Sequence, residues 1–106
     1  MWTQPEAIEL CKKLEAIALL YGGHVALTGG LLYKDGPRKD VDILVYRSAD
    51  EPAFDWEGFF AEIELTHGIC MVRDYGWCKK AACDGRPIDF FDPFRGGEHM
   101  SNEDLT

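Results

Sequence analysis

Residues 27–46 read LTGGLLYKDGPRKDVDILVY: two glycines close a short apolar run and, nine residues later, Asp40 and Asp42 open a second one. The second run, DVDILVY, has the near-continuous apolar character of a central strand covered on both faces, with charge only at its beginning. Strand residues i and i+2 point the same way, so the two carboxylates emerge together where the strand starts. Held that close, they repel each other and need compensation. Whether a metal ion carrying a nucleotide or only water supplies it decides what the segment is for.

Two such carboxylates can hold one Mg²⁺ or bridge two. Magnesium favours a few carboxylates plus phosphate oxygens and water over a full protein cage, which suits a nucleotide-bound ion. The third candidate is Asp89 in PIDFF, flanked by Ile88 and Phe90, which lie on the other strand face. An aspartate in so apolar a strand is costly to bury unless it is paired, protonated or bound to metal. If its strand neighbours that of Asp40, three carboxylates converge and could hold two ions about 4 Å apart. Gly29 and Gly30 offer backbone N–H groups that phosphate oxygens can approach without a Cβ in the way. Lys34, Arg38 and Lys39, all between the glycines and Asp40, could add positive charge to the same pocket or form a solvated loop.

The rest of the chain supplies a scaffold. Thr3 with Glu6 is a capping-box pattern, and Ile8, Cys11, Leu14, Ile17, Ala18 and Tyr21 follow at helical spacing, so a helix is expected to about Tyr21, where Gly22-Gly23 stops it. HVALT, residues 24–28, reads as a strand, LLYK as one helical turn at most, and DGPR as a loop. After a connection at 47–54, Asp55 is an N-cap for a second helix through Trp56, Phe59, Phe60 and Ile63, ended by Gly68. The spacing of those aromatics assigns them to the core rather than to a base-stacking platform. Three strand-like runs follow, ICMVRD, WCKKAAC and PIDFFDP, the last two joined by an Asp84-Gly85 hairpin turn. Of Lys79 and Lys80, alternation sends one toward Asp89. Asp92, before Pro93, reads as a turn former, and His24 and His99 carry no motif. The expected class is α+β, a small mixed β-sheet with helices packed on one face, with a core over residues 1–92 and an acidic C-terminal tail over 93–106.

Length and charge narrow the function. A chain of 106 residues is one domain, so a large substrate must find the rest of its binding site elsewhere. The net charge of −8 is uneven: residues 1–49 hold six acids and six bases, and residues 50–106 hold thirteen acids and five bases. That field opposes extended binding to a nucleic-acid backbone. No apolar stretch is long enough to span a membrane, and MWTQPEAIEL lacks the basic and apolar regions of a signal peptide, so a cytoplasmic location is expected. Cys11, Cys70, Cys78 and Cys83 form no CxxC pair and read as reduced thiols. A zinc set of His67 with the last three has irregular spacing.

The order LTGG, nine residues, DVDILVY, and later PIDFF resembles the nucleotidyltransferase fold of the DNA polymerase beta superfamily, especially its minimal nucleotidyltransferase members. The resemblance covers residues 24–46 well and 77–92 loosely. It implies a transferase that moves a nucleoside monophosphate from an NTP, such as ATP, to a hydroxyl acceptor. Two Mg²⁺ or Mn²⁺ ions would be held by Asp40, Asp42 and Asp89, and the triphosphate would be contacted at Gly29 and Gly30. Gly30 stands where many small members carry serine, and the 106 residues are not expected to include a helical acceptor-binding domain after the core. The alternative is a nucleotidyltransferase-fold binding module without useful turnover, a nucleotide sensor or an antitoxin-like partner of another protein. A protein partner or a homodimer stays open, and the bland alternative is a small α/β protein with solvated acids.

Overall fold

A computed structural model describes residues 1–30 and 36–93. Helix α1, Gln4–Ala18, begins at the capping box: the Glu6 backbone N–H donates to the Thr3 side chain, and the Glu6 carboxylate accepts from the Thr3 backbone. Its buried stripe is Ala7, Leu10, Leu14, Ile17 and Ala18. One 3₁₀ turn, Leu19–Tyr21, leads to Gly22 in the left-handed region and into strand β1, Gly23–Thr28. Strand β2 is Val41–Arg47 and helix α2 is Trp56–His67, with Asp55 accepting from the Gly58 N–H at its start and Gly68 left-handed at its end. Strands β3 (Ile69–Asp74), β4 (Cys78–Cys83) and β5 (Arg86–Phe91) complete the described chain. Asp84 and Gly85 both have positive φ, 53° and 78°, the geometry of a type I′ hairpin turn between β4 and β5.

The five strands form one mixed sheet in the order β1-β2-β5-β4-β3. β2 and β5 run parallel and every other neighbouring pair is antiparallel. Burial separates the two faces. Val41, Ile43 and Val45 of β2, with Ile88 and Phe90 of β5, join the α1 stripe and Phe59, Phe60 and Ile63 of α2 in one core. Phe90 meets the edges of Phe59 and Phe60, with centroids 5.9 Å and 5.3 Å away. These contacts anchor β5 beside β2, and the α+β architecture with helices over one face follows from them.

The opposite face differs from the expectation that β2 would be covered on both sides. Leu44 is only partly buried and Tyr46 is exposed, and no described helix packs over them. Asp40 also falls one residue before the strand. No helix among the described residues is long and apolar enough to cross a membrane. The four cysteines are free thiols. All but the first residue of the expected tail, positions 94–106, lie outside the described residues, as does His99.

Candidate active site

Two choices of register build the site. Where β2 pairs with β5, Asp42 lies opposite Asp89, and Thr28 of β1 lies opposite Asp42 on the other side. β4 then sets Lys80 opposite Asp89, and β3 sets Arg73 opposite Lys80. Residues directly opposite share a face, so Thr28, Asp42, Asp89, Lys80 and Arg73 form one row across the sheet. The row lies on the open face, because Val41, Ile43, Ile88 and Phe90, one residue to either side of the acids, are committed to the core.

Asp89 is 8% exposed and its carboxylate is held by the Lys80 ammonium at 3.1 Å. Asp42, partly buried next to it, has its carboxyl raised above the usual aspartate range, first by desolvation and then by the charges of Asp89 and Asp40. Lys80 opposes that shift. Asp40 therefore acts on the row electrostatically from just outside β2. Among the described residues no three His, Cys, Asp or Glu side chains are placed to share a metal ion as folded.

On the β1 side, Gly29 has φ +74°, and a Cβ there would collide with the Asp42 carboxylate, so the glycine lies directly against that acid. Gly30 lies against Arg38: a Cβ on it would stand 3.2 Å from Arg38 Nε, a buried nitrogen with no hydrogen-bond partner among the described residues. Lys39 joins Asp40, Asp89 and Lys80 around a cavity of about 300 Å³ on the β4 side, with Val72 and Pro87 as apolar walls. Larger cavities of about 410 and 420 Å³ border α1 and include none of the three aspartates. Lys34 lies outside the described residues.

No family model and no curated protein matches the chain. Its structure is similar to that of a cytoplasmic RNA terminal U-transferase, with a TM-score of 0.53 over 86% of this chain at 17% sequence identity. The fold is nucleotidyltransferase-like. The chain covers 29% of that larger protein.

Within this nucleotidyltransferase-like fold, three residues stand out that sequence reasoning left unplaced or placed differently. Trp2 is 3% exposed, exchanges two backbone hydrogen bonds with Arg38 (2.6 and 2.8 Å), donates its indole N–H to the Pro87 carbonyl at 2.9 Å, and carries the Arg86 guanidinium 3.9 Å above its ring. It thus ties the loop before Asp40 to the start of β5. Nothing in the spacing of an isolated tryptophan signals this. Lys80, one of two adjacent candidates, is the lysine on the Asp89 face. Lys79 turns to the core side, where it bonds Asp74 at 3.0 Å under the Trp56 ring. Asp92, read as a turn former, accepts from the Trp56 indole at 3.0 Å and pins α2 to the end of β5.

Proposed function

We propose that this chain is a metal-dependent nucleotidyltransferase that moves a nucleoside monophosphate from an NTP to a hydroxyl acceptor, with pyrophosphate leaving. The observation that carries the proposal is the Asp42–Asp89 rung on an open sheet face, with Gly29 pressed against Asp42. The donor chemistry fits Mg²⁺: all three acids offer hard oxygen ligands, and the Asp42 carboxyl, raised first by desolvation and then by the charges of Asp89 and Asp40, is one that a nearby cation would favour in its ionised form. Asp40, Asp42 and Asp89 would hold the metal. Bound there, it would neutralise charge on the transferring phosphoryl group and ease deprotonation of the acceptor hydroxyl.

The protein's own part is positioning. The Gly29-Gly30 backbone and Arg38 Nε, which has no partner among the described residues, donate to triphosphate oxygens, and Trp2 keeps Arg38 in place. Asp89 borders the 300 Å³ cavity on the side away from the glycines, so the acceptor hydroxyl enters there. Incubation with each NTP, Mg²⁺ or Mn²⁺ and a panel of hydroxyl compounds and protein partners should release pyrophosphate from wild type and not from Asp42→Asn. Equal release by both would overturn the proposal.

A second reading has its own observation. Lys80 already occupies Asp89 and no three ligands are assembled among the described residues, which favours a binding module that senses nucleotide without turnover. Stabilisation by Mg²⁺-NTP, together with a bound protein partner and no pyrophosphate from any acceptor, would support this module.

A further inference from the structure

We infer that Lys80 is the resident counter-cation of the carboxylate row: it holds Asp89 while no divalent ion is bound and must release it before an ion can be shared. The inference rests on the proposed metal site and adds to it the residue that sets how tightly the site takes metal. Its geometry is local. Lys80 and Asp89 are register partners across β4 and β5, with Nζ 3.1 Å from Oδ1. The two side chains are unequally free, because the side chain of Asp89 is nearly buried and that of Lys80 is 46% exposed. The carboxylate is therefore fixed by its strand and the ammonium is the partner that can move.

There is space for that movement. The 300 Å³ cavity is lined by both Lys80 and Asp89, and Lys39 and Asp40 stand on its wall. An ammonium swung away from Asp89 reaches water, since the Lys80 side chain is already half-exposed, so releasing Asp89 does not strand a buried charge. Lys79 cannot substitute, since it is committed to Asp74 and the Gly76 carbonyl on the other face.

The test is Mn²⁺ binding to the full chain, read by electron paramagnetic resonance as free against bound ion. Lys80→Met removes the charge and keeps most of the stem, Lys80→Arg keeps the charge, and Lys39→Met removes a charge from the same cavity wall. The expected result is about tenfold tighter Mn²⁺ binding in Lys80→Met, the scale of one charge-assisted hydrogen bond. Lys80→Arg should stay within about twofold of wild type, and Lys39→Met should gain less than about threefold, as a screened surface charge does. In an Asp89→Asn background the Lys80→Met gain should vanish. Equal Mn²⁺ affinity in wild type and Lys80→Met, or an undiminished gain in the Asp89→Asn background, overturns the inference while leaving the metal site standing. No Mn²⁺ uptake by any variant overturns both.

Discussion

Gly29→Ala isolates the contact on which the site is built. At φ +74° an L-residue costs about 1–2 kcal/mol through its own backbone. The added Cβ would also collide with Asp42 Oδ2 and lie 2.8 and 2.9 Å from Asp42 Cγ and Cβ. Turning the carboxylate clears the oxygen but not Cβ, so the end of β1 must draw away from β2 where Thr28 pairs with Asp42. Overpacking of that kind costs a further ~1–3 kcal/mol. The sum, about 2–5 kcal/mol, corresponds to a melting temperature lower by at least about 10 °C for a chain of this size. Gly36→Ala is the control, because Gly36 has φ +89° with nothing within 4 Å of the added carbon, and should show the backbone cost alone. The assay is thermal and urea unfolding of both variants in chelator. Gly29→Ala costing no more than Gly36→Ala would refute the packing of Gly29 on Asp42.

Other predictions concern the row and its supports. Trp2→Ala, which empties a nearly closed site and breaks the Pro87 bond, should destabilise by about 3–5 kcal/mol in urea unfolding. Asp42→Asn should raise metal-free stability at neutral pH. A carboxyl raised in the fold penalises it above the raised value and not below the ordinary 3.8, so the wild-type and variant pH–stability curves should converge at acid pH. Asp89→Asn should lower metal-free stability by no more than about 2 kcal/mol, the scale of one charge-assisted hydrogen bond, since the Lys80 it leaves behind is half-exposed and reaches water, while Mg²⁺-NTP stabilisation measured in the same melts is lost.

The elements were legible because their signals are local. The Thr3–Glu6 box, the Asp55 cap, the glycine stops and the Asp84-Gly85 turn each act within a few residues, and each appears where the sequence puts it. The parallel pairing of β2 with β5 is different. It joins strands some forty residues apart and sets Asp42 against Asp89, a juxtaposition that electrostatics alone disfavours. The packing of Val41, Ile43, Val45, Ile88 and Phe90 under the helices opposes that repulsion, and that is a property of the assembled core. Alternation could say that one of Lys79 and Lys80 faces Asp89 but not which, because both neighbouring strands had to be in register first. Trp2 was invisible for the same reason: its partners are 36 and 85 residues away. The fully covered β2 failed as an expectation because an apolar run records what a strand can bury, and here the side carrying Leu44 and Tyr46 is left partly open.

The central claim, that the carboxylate row takes a metal-bound nucleotide, is tested most directly by melting the full chain with each NTP in the presence and absence of Mg²⁺. At a hundred times the dissociation constant the ligand should add about 2.7 kcal/mol of stability. The account predicts stabilisation by at least one NTP that requires Mg²⁺ and disappears in Asp42→Asn. Stabilisation that persists in Asp42→Asn, or no NTP-dependent shift with Mg²⁺ in wild type, would contradict it.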